Sequence, residues 1–233
     1  MTEQVADAVL TRIQQERLQP GDRLGREQAL AQEFGVSRPT MREAIRLLSS
    51  GGLLRAAKGP GGGIFVERTI AEGLSHLLSD GLGSMLDVDA VSLDELMHVR
   101  IAVEIPIVRV AAERIDDAQI AELEAAIASI EAGPHDERQV REGDRRFHQT
   151  IAQASDNLML QAIVGWVFDV LQPRLYFAIP PPTVEDVVVR QHRAILDALA
   201  ARDVAAAEQA MRAHLDHLRD LTTGAAATTA GAS

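Results

Sequence analysis

A mainly α fold, with an N-terminal winged helix-turn-helix followed by an all-α antiparallel helical bundle, is the fold class this sequence predicts. Three observations carry it. Residues 34–46, Phe34-Gly35-Val36-Ser37-Arg38-Pro39-Thr40-Met41-Arg42-Glu43-Ala44-Ile45-Arg46, read as a sharp turn and a short arginine-studded helix. A glycine-rich basic hairpin follows, ending in Gly63-Ile64-Phe65-Val66. From about residue 71 onward, apolar residues recur every three or four positions almost to the end of the chain.

The first helix is expected over residues 2–18, with Val5, Val9, Ile13 and, less regularly, Leu18 on one face. Gln19-Pro20-Gly21-Asp22 has the chemistry of a turn and closes it. A second helix is expected over 26–34, with Phe34-Gly35-Val36 as the sharp exit. Ser37 suits an N-cap and Pro39 the first turn of the third helix. That helix points Met41, Ile45 and Leu48 inward and carries Arg38, Arg42 and Arg46 along an exposed stripe, until Gly51-Gly52 stops it. Leu53-Leu54-Arg55-Ala56 and Gly63-Ile64-Phe65-Val66 form two short strands around Lys58-Gly59-Pro60-Gly61-Gly62.

Seven further helical segments are expected near 71–82, 92–114, 117–132, 136–155, 158–179, 184–201 and 203–222. Gly81-Leu82-Gly83, Gly133-Pro134, Pro180-Pro181-Pro182 and Arg202-Asp203 punctuate them, and Pro106 should bend the second or mark an irregular turn in it. The organisation expected is a DNA-binding domain over 1–70, a linker helix or loop over 71–90, a helical domain over 91–222 and a flexible tail over 223–233.

Composition limits the function. The 233 residues contain no cysteine, which excludes disulfides and thiolate chemistry. No apolar run approaches the roughly 20 residues of a membrane span, and the polar N-terminus is unlike a signal peptide, so a cytoplasmic location and no membrane partner are expected. The net charge of −11 is unevenly distributed. Residues 1–70 hold ten basic and eight acidic side chains, a net of +2, which leaves −13 for residues 71–233. A locally basic head on an acidic body would discourage wrong docking faces on a polyanion.

A helix that reads the major groove needs long cationic side chains for phosphates and guanine edges, and small polar residues for close approach. Ser37, Arg38, Thr40, Arg42 and Arg46 supply both, and Lys58, the only lysine, stands at the wing tip beside Gly59. An arginine every fourth residue is also what an ordinary solvated helix face shows. The turn, the glycine stop and the basic wing at their proper distances favour the DNA reading. Gly21-Asp22-Arg23-Leu24, Leu30-Ala31, Phe34-Gly35-Val36-Ser37-Arg38, Arg42-Glu43-Ala44 and Gly63-Ile64-Phe65-Val66 resemble the N-terminal pattern of the GntR family of bacterial transcription factors. The resemblance covers about the first 70 residues. It implies that Arg38 and Arg42 contact bases or phosphates, that Thr40 lies at the groove floor, and that Lys58-Gly59 reach the neighbouring groove. Many members begin the second helix with Ser-Glu. Here Arg26-Glu27 stands in its place, which loses the N-cap or moves it to Gly25 and offers Arg26 as a replacement phosphate contact.

A second cluster lies far along the chain. Asp144 and His148 are four apart and share a helix face, and His192 and His214 fall on two later helices. Three histidines and an aspartate from three antiparallel helices could meet inside a bundle and bind a borderline divalent ion such as Zn, Ni or Mn. Each histidine alone also reads as a surface or capped core residue, and His76, His98, His135 and His217 are left in that role.

From about 90 to 222 the chain resembles the all-helical FCD effector domain of the FadR subfamily. The matching motifs are Leu96 to Glu104, Asp144-x-x-x-His148, Ala154-Ser155-Asp156-Asn157, Gln191 to Ile195 and Met211 to His214. In metal-binding members an aspartate and three histidines hold the ion, which implies that role for Asp144, His148, His192 and His214. The same resemblance suggests small carboxylates and sugar acids as effectors. Arg100 is then the candidate carboxylate partner, with an internal ion pair to Glu104 as its equal alternative, and Asn157 a candidate hydrogen-bond donor.

The function expected is a homodimeric, ligand-responsive regulator, a repressor of a palindromic operator in double-stranded DNA. Two alternatives stand beside it. A metal sensor would take the ion itself as its signal. A metal-dependent hydrolase would leave the basic head unexplained, has no evident general base, and has four protein ligands crowding out an activated water.

Overall fold

The computed structural model describes residues 1–59, 61–83, 92–132, 136–178 and 181–230. It divides into two compact units, Met1–Asp80 and Gly81–Ser233. Part of the expected 71–90 linker forms a helix, and its remainder, 84–90, lies outside the described residues.

In the first unit the order is α1 (Thr2–Gln15), β1 (Arg23–Gly25), α2 (Glu27–Glu33), α3 (Arg38–Ser50), β2 (Leu54–Ala57), β3 (Gly63–Val66) and α4 (Ile70–Gly83). Helix α1 stops earlier than the periodicity suggests. Arg17 adopts a left-handed φ of 52°, its N–H donates to the Gln14 carbonyl, and the N–H of Leu18 donates to the Ile13 carbonyl. These paired bonds satisfy the last carbonyls of α1 and turn Leu18 back onto the core. The same device ends α3, where Gly52 takes φ +70° and the Leu53 N–H bonds to the Leu48 carbonyl.

The sheet has three strands in the order β1-β3-β2, all antiparallel neighbours. The hairpin pairs Leu54 with Val66 and Ala57 with Gly63. Strand β1 was not expected, because three residues placed directly after turn chemistry give no period to read. It forms because Leu24 is buried and because Arg23 pairs with Phe65 in a bulged register. Val5, Val9, Ile13, Leu30, Met41, Ile45, Leu48, Leu54, Ile64 and Val66 make the shared core, each contributing about 1.5–3 kcal/mol by the area it removes from water.

The second unit contains α5 (Leu93–Arg114), α6 (Asp117–Ala132), α7 (Glu137–Ala154), α8 (Leu158–Ala178), α9 (Pro181–Ala200) and α10 (Val204–Ala230). Side chains cap the starts of α5, α6, α7 and α10. Ser92 and Glu95 form a reciprocal capping box on α5, Asp116 accepts from the Gln119 N–H, Asp136 accepts from the N–H groups of Arg138 and Gln139, and Asp203 accepts from Ala206.

Helix α5 runs through Pro106 with no irregular turn, because its caps and the burial of Met97, Ile107, Val108 and Ala111 hold it on both sides of the lost N–H. Two expectations are corrected. Helix α9 begins at Pro181, so the proline run opens this helix rather than only separating two. Helix α10 continues to Ala230 instead of ending at 222, as an alanine-rich stretch favours, and residues 231–233 lie outside the described residues.

Helix α5 packs on α7, α8 and α10, and α9 packs on α6 and α10. Helices α6 and α7 approach closely at Gly143, where an added Cβ would lie 2.5 Å from Ile130 Cγ1 and 3.1 Å from the Ala126 carbonyl oxygen. That approach sets the depth of Asp144, the next residue. Among the described residues no helix is long and apolar enough to cross a membrane.

Candidate metal centre and DNA-reading head

The largest group of buried ionisable side chains described in the helical unit gathers where α7 supplies Asp144 and His148, α9 supplies His192 and α10 supplies His214, with Arg100 and Glu104 of α5 beside them. Asp144 and the three histidines are buried, and one donor atom from each lies within 4.8 Å of the others. Asp144 Oδ1 is 3.6 Å from His148 Nε2 and 3.5 Å from His192 Nε2. Donors about 2.1 Å from a tetrahedral ion stand about 3.4 Å apart, and opposed donors of an octahedral ion about 4.2 Å. The two separations from Asp144 suit an ion of that size.

Second partners fix how the rings are presented. The Glu104 carboxylate accepts from Nδ1 of His148, and Gln191 Oε1 accepts from Nδ1 of His214 at 3.0 Å. Each ring therefore carries its proton on Nδ1 and turns the Nε2 lone pair inward. Gln172 Nε2 donates to Asp144 Oδ2 at 3.3 Å and to the Arg141 carbonyl at 2.7 Å. The Phe147 ring stacks on His192, 4.0 Å between centroids and 7° from parallel.

Burial is the main reason that His192 and His214 are held well below the ordinary histidine range, and their positive neighbours add to it. Both rings are neutral and available as donors. Burial opposes ionisation of Glu104, but the positive charge of Arg100 and the hydrogen bonds donated by His148 and Arg100 outweigh it and hold this carboxyl at about 2. Both nitrogens of His192 and Nε2 of His214 are buried without a hydrogen-bond partner. Leaving such atoms unsatisfied costs about 1–3 kcal/mol each. Three imidazole nitrogens and one carboxylate oxygen, with the inward lone pairs of His192 and His214 unused by any hydrogen bond, form a set able to hold a borderline divalent cation.

Of the two readings of Arg100, the ion pair with Glu104 is formed. Its Nε donates to Glu104 Oε1 at 2.6 Å, its Nη2 donates to His148 Nε2 at 2.9 Å, and its guanidinium lies 4.5 Å over the Phe168 ring. Only 1% of its surface is exposed. Asn157 is elsewhere. It is exposed, and its Oδ1 accepts from the backbone N–H groups of Met159 and Leu160, so it caps α8 rather than facing the cluster. Sequence reasoning missed Gln172, Gln191 and Phe147 as supports. Two of them adjoin ligands in the chain, which is the only signal they leave.

In the first unit Ser37 caps α3, its Oγ accepting from the Thr40 N–H at 3.3 Å and lying 2.7 Å from the Thr40 hydroxyl. Arg38, Arg42 and Arg46 are exposed along α3, and Lys58 and Gly59 are exposed at the wing. Arg46 pairs with Glu43 at 2.6 Å. Arg42 is held side-on by Glu27 through Nε at 3.1 and 3.2 Å and Nη2 at 2.7 Å, and the hydrogen bonds from Arg42 hold the Glu27 carboxyl below its usual range. The N-cap position of α2 is Arg26 itself, without a side-chain cap bond, and has not moved to Gly25. In the wing, Gly59 takes φ +106°, and a Cβ on Gly62 would lie 2.5 Å from the Ala57 carbonyl oxygen. Only glycine fits there.

A winged reading head joined to a helical unit with a polar centre in its core defines a class, the ligand-responsive DNA-binding transcriptional regulators. Residues 1–66 match the bacterial regulatory proteins of the gntR family, and residues 95–217 match the FCD domain. The chain belongs to the GntR family of transcriptional regulators and carries an FCD domain. It is 32% identical over 231 residues to the Escherichia coli (strain K12) protein named for regulation of the L-lactate dehydrogenase operon, covering 92% of this chain and 83% of that one. It is 30% identical to the HTH-type transcriptional regulator LutR of Bacillus subtilis (strain 168), covering 91% and 96%. The galactonate operon transcriptional repressor of Escherichia coli (strain K12) is 30% identical, covering 82% and 83%. Among solved structures, Streptococcus agalactiae GntR superimposes with a TM-score of 0.71 at 25% identity, covering 94% of this chain and all of that one. These relatives are regulators, not enzymes, and the hydrolase alternative is set aside.

Proposed function

We propose that the protein is a homodimeric repressor that binds a palindromic operator and is switched by a small carboxylate or sugar acid held through a divalent ion, Zn, Ni or Mn, at Asp144, His148, His192 and His214. The observation that carries this reading is the set of partnerless imidazole nitrogens of His192 and His214 beside Asp144, with Arg100 on the third ring, His148. Such an ion supplies a positive anchor for an anion. Charge bookkeeping agrees. Asp144 and Glu104 bring −2 and Arg100 +1, so a +2 ion leaves a net of +1 that one carboxylate neutralises. A buried net charge is costly until it is paired. Two relatives are named for L-lactate and galactonate operons. Both acids carry a hydroxyl beside the carboxylate and can offer two oxygens at once, and Arg100 can take the carboxylate edge. On the DNA side, Arg38, Arg42 and Arg46 enter the major groove with Ser37 and Thr40 at the closest approach, while Lys58, Gly59 and Arg26 hold phosphates.

A thermal-shift screen of L-lactate, D-galactonate and other small acids, with and without chelator, tests the proposal. Stabilisation that disappears on chelation supports it, and the same acid should then alter operator binding. Stabilisation by metal without any acid would favour the metal sensor. No response to either would sink the metal-site reading.

A further inference from the structure

Arg100 and His148 present a conflict that the proposed site must resolve. His148 donates its Nδ1 proton to Glu104, so Nε2 has a single lone pair directed inward. Arg100 Nη2 already uses that lone pair at 2.9 Å. Asp144 Oδ1, 3.6 Å from the same nitrogen, lies on the side where the other donors converge. One lone pair cannot serve both an N–H and a cation.

We infer that Arg100 competes with the metal for His148 Nε2, so that metal loading displaces the guanidinium edge and makes it available to the effector carboxylate. The inference rests on the metal reading above and specifies how the site is regulated. Glu104 is the positioning residue. It holds Nε of Arg100 and Nδ1 of His148 with its two carboxylate oxygens, so it fixes the tautomer that creates the conflict and keeps Arg100 within reach after displacement. The displaced Nη2–H is buried and needs a new acceptor. A carboxylate beside the ion provides one. Metal and acid therefore bind cooperatively, each tightening the other by the same factor.

The test is competition titration of Zn2+ against a chromophoric chelator, using the full-length wild type, Arg100→Lys and Arg100→Met, each with and without L-lactate. Removing the competing bond should tighten Zn2+ binding about tenfold in both variants without acid. L-Lactate should tighten Zn2+ binding in the wild type and have little effect in either variant. Tightening confined to Arg100→Met would reveal a simple charge effect and overturn the competition. Equal Zn2+ affinities in all three proteins would do the same. A wild type that binds no Zn2+ at all would remove the metal reading itself, an outcome separate from the other two.

Discussion

His192→Leu should change stability in opposite senses with and without metal. In chelator, the wild-type ring keeps two buried nitrogens without partners, at about 1–3 kcal/mol each. Leucine removes both and fills a similar volume. It gives up the stack on Phe147, worth about 0.5–1.5 kcal/mol. The variant should therefore equal or exceed the wild type in chelator. With metal at 100 times its dissociation constant, the wild type gains about 2.7 kcal/mol, and the variant, short of one donor, loses that gain. The two differences should be separated by about 2.7 kcal/mol. In a domain of this size each kcal/mol moves the midpoint by about 2–4 °C, so the separation is about 5–11 °C. Thermal unfolding of both proteins in excess chelator and in excess Zn2+, followed by far-UV circular dichroism, measures it. If the substitution shifts the midpoint equally in both buffers, His192 is an ordinary core residue and the argument from its unsatisfied nitrogens is wrong.

Three further outcomes are expected. In chelator, stability should fall as pH drops below about 6.5, because His192 and His214 stay neutral when folded but take up protons when unfolded. The slope is at most about 1.4 kcal/mol per pH unit for each histidine, and Glu104, held at about 2, adds a further loss below about 4.5. Urea midpoints that stay level between pH 7.5 and 5.5 would contradict this. Arg42→Ala should weaken operator binding and lower its salt slope by about one, whereas Glu27→Gln should release Arg42 and tighten binding to a random-sequence duplex. Fluorescence anisotropy across a salt series reads both, and an unchanged slope in the pair would misplace α3. Gly62→Ala should distort the wing and reduce DNA affinity, leaving stabilisation of the helical unit by metal unaltered. Retained affinity would show that the wing tip tolerates a Cβ.

The sequence is most legible where a local rule has one outcome. Ser37 before Arg38-Pro39 can hardly do anything but cap, and it does. Gly51-Gly52 ends α3 because Gly52 must turn left-handed. The i, i+4 spacing of Asp144 and His148 set two of the cluster residues on one face, and the helices bring His192 and His214 to them. Contacts between distant segments left little trace. Nothing near Gln172 announces that its amide would reach Asp144 from α8, and Glu27 gives no sign that it would clamp Arg42 fifteen residues later. Asn157 shows the opposite limit. Its motif drew attention to a side chain whose Oδ1 is occupied with the start of α8.

Gly143 packs α7 against α6. It touches no donor atom of the cluster, yet any side chain there would collide with Ile130 and the Ala126 carbonyl and push α7, with Asp144, away from its neighbours. The reading head is a separate compact unit with its own core, so its fold does not depend on Gly143. If the proposed acid-released repressor is right, alleles at this codon should behave as a distinct class: protein present, operator occupied, and the response to the acid gone. A screen for non-responding mutants would find the site through a residue that takes no part in its chemistry.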